Sequence, residues 1–354
     1  MQLGEITKIQ TGKLDANAAS KNGIYPFFTC ARKPLKIDTY AYDCECVLVA
    51  GNGDLNVKYY SGKFEAYQRT YIIESTDKKR LLTKYLFYFL SKYITTLRTQ
   101  TTGGVIKFIK LGNLTNAFIH IPSILDQQKV IAKLDKIENS IQAKEEQLEA
   151  LNELIPARFT EMFGKHSYER KPIREIVSNN IRTTKKVFSK EDTIQYIDIS
   201  AIDNLQHTIT GTTPYIVAKA PSRAQQHIQD NDILVSTVRP NLKNIAINKY
   251  QDKNLIASSG FCVLRPEKCV PEYLLYNVLS NEFTTKMISL TTGANYPAVK
   301  NDDVLDYTIP VPPLPLQNQF AQFVHKTEQA KEIVKKQLQD LQELLNLKMD
   351  KYFK

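Results

Sequence analysis

The spacing of apolar residues changes along the chain. Through residues 1–122 apolar positions come in short runs, Cys46-Val-Leu-Val-Ala50 and Tyr71-Ile-Ile73 among them, broken by Gly, Asn and Pro clusters. This is the pattern of short strands separated by turns. One stretch, Leu82–Tyr93, has helical spacing. From residue 123 the spacing becomes a heptad, with Leu134, Ile141, Leu148 and Ile155 at a and Val130, Ile137 and Leu151 at d. Short runs return after residue 164 (Asp232-Ile-Leu-Val235), with a helix predicted at Pro271–Ser280. A second heptad stretch follows residue 314, with Val324, Leu338 and Leu345 at a and Phe320, Val334 and Leu341 at d. Lys144, Thr327 and Lys331 interrupt the stripes, as polar residues at such positions do where they fix register. Ser123 is the predicted N-cap of the first long helix, and Pro156 is predicted to kink or end it about two turns before Gly164; the second copy has Asn346 at that place. Each helix is expected to be a rod of roughly 45–60 Å. The resulting division is 1–122 mixed, 123–163 helix, 164–313 mixed and 314–354 helix.

The two halves are copies. Thr101-Thr-Gly103 recurs as Thr291-Thr-Gly293, and the offset of 190 residues then holds without a gap to the C-terminus, with 15 of 64 positions identical. Lys110 matches Lys300, Pro122 matches Pro312, Gln127 matches Gln317 and Phe163 matches Phe353. Upstream, with small shifts, Leu3-Gly-Glu-Ile6 aligns with Ile173-Arg-Glu-Ile176, Val47-Leu-Val49 with Ile233-Leu-Val235, and Tyr71-Ile-Ile73 with Phe261-Cys-Val263. Two copies are too few for a solenoid. Two heptad helices, one after each mixed part, can bury their stripes on one another if antiparallel, and this brings the C-terminus back towards Met1. The fold class read from the chain is therefore α+β: two similar α/β domains separated by a pair of long antiparallel coiled-coil helices, related by a pseudo-two-fold internal repeat.

Composition narrows the function. The chain has 354 residues with 42% hydrophobic and 24% charged residues, ordinary for a folded protein. No apolar run approaches the ~20 residues of a membrane span, and Met1-Gln-Leu-Gly-Glu-Ile lacks the basic flank and apolar stretch of a secretory signal, so a cytoplasmic protein without membrane contact is expected. Five cysteines, with no CxxC pair, read as reduced thiols; Cys44-Glu-Cys46 has no second ligand pair nearby to make a zinc site. The catalytic inventory is negative. No phosphate-binding G-x-x-x-x-G-K-[ST], G-x-S-x-G or H-E-x-x-H occurs, and Asn295-Tyr-Pro297 is only a distant echo of the Asn-Pro-Pro-aromatic tetrapeptide of amino-methyltransferases. Asp54, Glu65 and Lys63 superficially suggest a nuclease metal site, which copy two does not repeat. No cofactor and no metal are expected.

The net charge of +10 is unevenly spread: +8 on 1–122, −3 on 123–163, +3 on 164–313 and +2 on 314–354. Two basic lobes joined by near-neutral rods fit a polyanion, and double-stranded DNA above all, since two separated readers can each face their own stretch of groove. Gly51-Asn-Gly-Asp-Leu-Asn-Val-Lys-Tyr-Tyr60 and its counterpart Ser236-Thr-Val-Arg-Pro-Asn-Leu-Lys-Asn244 supply amide, hydroxyl, ammonium and guanidinium donors. The candidates for base or groove contact are Asn52, Lys58, Ser236, Thr237, Arg239, Asn241 and Lys243, because Arg and Asn match guanine and adenine edges. Arg32, Lys33, Arg69, Lys107, Arg182, Lys185, Lys186, Arg223 and Lys300 complete the candidate DNA-binding set, the clamps on phosphate among them positioning without specifying.

Ile119-His-Ile-Pro-Ser-Ile-Leu-Asp-Gln-Gln-Lys-Val130 and Ile309-Pro-Val-Pro-Pro-Leu-Pro-Leu-Gln-Asn-Gln-Phe320 each run strand, proline turn, Gln, helix. With Thr101-Thr-Gly103, Thr291-Thr-Gly293, Tyr60-Ser-Gly-Lys-Phe64 and Asp232–Pro240, they resemble the specificity (S) subunits of type I restriction-modification enzymes over essentially the whole chain. The resemblance implies two target recognition domains, each reading half of a bipartite DNA site, with the helix pair setting the gap. It implies that methyltransferase (modification) subunits dock on the helices, that the restriction subunit joins that complex, and that S-adenosylmethionine binds the partner. The chain itself would be a non-catalytic recognition subunit. The first domain is the shorter, which leaves its half-site contacts the less defined. The other readings open at this point are a stand-alone DNA-binding regulator and a coiled-coil adaptor without methyltransferase partners.

Overall fold

The computed structural model describes residues 1–164, 167–178, 180–293 and 296–353. The chain forms two compact units, Met1–Gln147 with Val334–Lys354 and Leu148–Ile333. The unit borders fall inside the two long helices, so each unit takes one part of each.

In unit 1 a six-stranded sheet is built from β1 (Thr7–Thr11), β2 (Tyr25–Phe28), β3 (Leu35–Ile37), β4 (Tyr42–Ala50), β5 (Val57–Ala66) and β6 (Thr70–Ser75), in the order β1-β6-β4-β5-β2-β3. The unbroken apolar run in β4 has a simple cause, burial on both faces. Val47 and Val49 face α1 (Thr83–Thr99), packing with Leu3, Ile73, Tyr85, Leu86 and Phe89. Cys46 and Leu48 face the other way, onto Phe28, Phe64 and Ile72. A short helix, α2 (Leu111–Thr115), leads to the long α3 (Ile124–Phe163).

Unit 2 repeats the central part of this plan and adds to it. Its elements are β7 (Arg170–Pro172), α4 (Thr184–Val187), β8 (Thr193–Ile197), β9 (Ile202–Asp203), β10 (Thr208–Ile209), β11 (Thr213–Ile216), β12 (Ala224–His227), β13 (Ile233–Ser236), β14 (Ile245–Ile247), β15 (Leu255–Ser258), β16 (Phe261–Leu264), α5 (Pro271–Val278), α6 (Asn281–Leu290), α7 (Asn301–Leu305), β17 (Thr308–Pro310) and α8 (Leu314–Tyr352). The three-stranded sheet β14-β13-β16 corresponds to β5-β4-β6, and a four-stranded sheet β11-β8-β15-β12 lies beside it. Ile233 and Val235 pack towards α5 and the long helices, and Leu234 towards Ile197, Leu255 and Phe261.

Two sequence expectations are corrected and a third is narrowed. Strand pairing places Val49 opposite Tyr71 but Val235 opposite Cys262, so Tyr71 corresponds to Cys262 and the sequence alignment at Phe261 was one residue out of register. A slip of one residue normally exchanges the two faces of a strand, but Phe261, Cys262, Val263 and Leu264 are all buried, so alternation carried no register signal. The single helix expected at Pro271–Ser280 is followed at once by α6: the Ser280 hydroxyl accepts from Phe283 N (3.1 Å) and caps a new helix. Of the two outcomes set for Pro156, a kink or an end, the end does not occur: α3 runs on to Phe163, as the division at residue 163 anticipated. The lost N–H bond is outweighed there by Ile155, Phe159 and Phe163, which pack on Tyr273 and Phe320 in unit 2.

The N-cap at Ser123 is present: its hydroxyl accepts from Asp126 N (3.2 Å). Within unit 1, Leu134 of α3 meets Met349 of α8 under Tyr88, with Leu345 alongside, and Phe353 lies against Tyr85 with ring centroids 5.0 Å apart. Within unit 2, Phe159 of α3 meets Phe320 of α8 (5.3 Å). Early α3 thus pairs with late α8 and late α3 with early α8, which makes the helices antiparallel. Leu134, Ile155, Phe320, Val324 and Val334 are buried, whereas Ile141, Leu148, Leu151, Leu338 and Leu341 are half-buried. Lys331, an interruption of the stripe, is buried and bonds Glu328 (2.9 Å), and Thr327 donates to Phe323 O within the helix.

The repeat extends to individual polar side chains. Gln127 and Gln317 are fully buried. Gln127 Oε1 accepts from Leu82 N (2.9 Å) and Gln317 Oε1 from Val270 N (2.9 Å), while their amides donate to Pro122 O (3.0 Å) and Pro312 O (2.7 Å). Each glutamine pins the start of a long helix to the start of the inner helix. Tyr85 and Tyr273 do likewise, donating to His120 O (3.3 Å) and Pro310 O (2.6 Å). No helix among the described residues is long and apolar enough to cross a membrane.

Candidate nucleic-acid interface

Each unit builds the same turn at the end of its central strand. After β4, Gly51 N donates to Arg69 O (2.8 Å), Gly51 O accepts from Ile109 N (2.9 Å) and Gly53 N donates to Lys107 O (3.1 Å). After β13 the matching bonds are Thr237 N to Gly260 O (2.9 Å), Val299 N to Thr237 O (2.9 Å) and Arg239 N to Pro297 O (2.8 Å). Gly53 and Arg239 are therefore counterparts, and both have left-handed backbone (φ 68° and 49°). Glycine adopts this freely, whereas an arginine held there is strained.

In unit 1 this turn gathers Arg32, Asn52, Lys58, Arg69 and Lys107. Arg32 Nε lies 2.9 Å from one Asp54 oxygen and Arg98 Nη2 3.4 Å from the other; Arg98 also donates to Leu55 O (3.0 Å). Lys58 bonds the Asn56 side chain, and burial, with the Arg32 guanidinium adding to it, holds its ammonium below the usual lysine range. Lys33, next to Arg32, is exposed. Arg98 was missed in the sequence because it sits in the last turn of α1, far from the loop, with no local motif to mark it.

In unit 2 the candidates fall into two groups. Arg182, Lys185, Lys186 and Arg223 lie along the β12 edge, where α4 packs on β12 and Thr184 Oγ1 donates to Ala224 O (2.7 Å). Arg223 borders a polar groove of about 560 Å³ lined by Tyr196, Asp198, Thr212, Thr213 and Tyr215. Arg239, Asn241 and Lys300 lie exposed around the turn. The stretch 258–260 joins the groups, since Ser259 N donates to Arg223 O (2.8 Å) and Gly260 O accepts from Thr237. Three candidates face inward. The hydroxyls of the buried Ser236 and Thr237 donate to Val238 O (2.9 Å) and Gly260 O (3.0 Å), and Lys243 Nζ donates to Leu279 O (3.0 Å) and Asn281 Oδ1 (2.9 Å). These side chains hold the turn in place and tie it to α6.

Cys46, Cys262 and Cys269 are buried in the cores, and Cys30 and Cys44 are half-buried. Burial pushes the Cys262 and Cys269 thiols up to about 12, and the Cys44 thiol up to about 11. Among the described residues no group of three or more His, Cys, Asp or Glu side chains is placed to hold a metal. Asn295 of the Asn295–Pro297 echo lies outside the described residues.

Two α/β units, each carrying the same turn and each taking part of both long helices, make an internally duplicated protein. The family model described as "Type I restriction modification DNA specificity domain" matches residues 1–153 and again 166–343, and the chain belongs to this family of DNA specificity subunits. It is 27% identical to the type I restriction enzyme EcoDI specificity subunit of Escherichia coli, over 96% of this chain and 83% of that one. To the MjaVIII specificity subunit of Methanocaldococcus jannaschii it is 22% identical, over 97% and 88%. The solved type I restriction-modification S subunit from M. genitalium shares its fold, with a TM-score of 0.63 at 15% identity across 100% of this chain and 95% of that one.

Proposed function

We propose that this chain is the non-catalytic recognition subunit of a type I restriction-modification complex in the cytoplasm, each unit reading one half of a bipartite DNA site. The observation that carries this reading is the repetition, bond for bond, of the Gly51–Gly53 and Thr237–Arg239 turns on units that share α3 and α8. The helices set the gap between half-sites and dock the methyltransferase subunits, which bind S-adenosylmethionine; the restriction subunit joins through them. Arg32, Lys33, Lys58, Arg69, Arg98, Lys107, Arg182, Lys185, Lys186, Arg223, Arg239, Asn241 and Lys300 form the DNA-facing set. Asn52, Ser236, Thr237 and Lys243 shape the turns that present it.

The test is duplex binding by the chain assembled with its methyltransferase subunits, followed from 50 to 200 mM salt. Neutralisation of six to ten phosphates gives a linear fall of log K with log salt amounting to about 10³–10⁵ in affinity. A flat, undetectable response would support a protein-only adaptor instead.

A further inference from the structure

Beside each recognition turn stands a loop closed by paired backbone bonds, with a large side chain exposed on it. In unit 1, Thr102 and Phe108 exchange both backbone hydrogen bonds (2.9 and 2.9 Å), closing residues 103–107 into a loop anchored to the turn through Lys107 O and Ile109 N. Gly103 (φ 112°) makes the closure possible, since a Cβ there would lie 2.5 Å from Ile106 O. At the tip Val105 is 103% and Ile106 63% exposed. In unit 2, Thr292 and Ala298 exchange the same pair of bonds (2.9 and 3.0 Å), and Gly293 has φ 92°. The counterpart of Ile106, at the offset of 190, is Tyr296, 71% exposed, with the Arg239 guanidinium 5.2 Å from its ring centroid.

The two copies share only 15 of 64 residues over this stretch, yet both hold a large apolar side chain in water at the same place. In both a cation stands next to it: Lys107 follows Ile106 in the chain, and Arg239 lies over the Tyr296 ring. A large exposed apolar or aromatic side chain beside a cation is complementary to a polyanion with an apolar interior, which duplex DNA is, phosphates outside and stacked bases within. Apolar side chains pushed between base steps unstack them and kink the duplex.

We infer that Ile106 and Tyr296 are wedges, each inserting at a base step of the half-site its unit reads. Tyr296 adds a stacking face and carries Arg239 with it to the same step. This inference rests on the reading of the chain as a DNA-recognition subunit and deepens it.

The experiment uses the full chain in complex with its methyltransferase subunits. Methylation mapping first defines the half-sites, and duplexes carrying 2-aminopurine at successive positions then report unstacking as a rise in fluorescence. Ile106→Ser is expected to weaken binding about tenfold and abolish the signal at one step of one half-site; Tyr296→Ser does the same in the other half-site only. Ile106→Leu and Tyr296→Phe retain both signals. Serine variants that bind and unstack as the wild type does overturn the proposal. So does loss of the methyltransferase subunits on purification, which would make the loops a protein contact. A wild-type complex with no specific DNA site overturns the recognition reading itself, and the wedge with it.

Discussion

Replacing Arg265 by methionine is expected to destabilise unit 2 by about 3–5 kcal/mol, because it strands a buried charge. Asp232, at the start of β13, is fully buried, and Arg265 bonds both its oxygens, Nε to Oδ1 at 2.9 Å and Nη2 to Oδ2 at 2.7 Å. The same guanidinium donates to Asn180 O (3.1 Å) and His227 O (3.3 Å), so it joins the segment before α4 and the end of β12 to the central strand. Methionine fills the space of the stem but returns none of these bonds. The checks are thermal and urea unfolding. The thermal midpoint should fall by roughly 10 °C, and Asp232→Asn added to the variant should recover part of the loss, since no charge then remains unpaired. An unchanged midpoint would show that water reaches Asp232.

Gln317→Leu and Gln127→Leu should each cost about 1–3 kcal/mol, since each leaves a part-buried backbone donor and at least one backbone acceptor unpaired at a helix junction. Gln127 serves Arg80 O (2.7 Å) as well as Leu82 N and Pro122 O, so its loss is expected to be the greater. Circular dichroism during urea unfolding measures this. Equal stability of leucine and wild type would mean that the junctions find other partners.

The glutamines show what the sequence could and could not convey. Their recurrence at an offset of 190 was visible, and with it the duplication, the heptad helices and their antiparallel return. Their roles were not, because each bonds residues some 45 positions upstream in the chain. The recognition turn was legible as a glycine- and asparagine-rich segment with a counterpart. That Ser236, Thr237 and Lys243 point inward was not, since side-chain direction there follows from two left-handed residues, Arg239 and Lys243, that local propensity disfavours. At Pro156 the sequence left a kink and an end both open, and packing around Ile155, Phe159 and Phe163 decides against the end. Ile106 drew no notice in the sequence, and Tyr296 was noticed only as part of the Asn295–Pro297 echo, because an apolar or aromatic residue in a loop becomes informative only when its exposure is known.

The measurement that bears most directly on the account is the methylation pattern in cells after seven residues are inserted at matched points in α3 and α8. Seven helical residues add about 10.5 Å, close to three base pairs at 3.4 Å each. Both half-sites should keep their sequences while the gap between them lengthens by about three base pairs. Methylation persisting at the original gap would contradict the claim that the paired helices set the distance at which the two units read DNA.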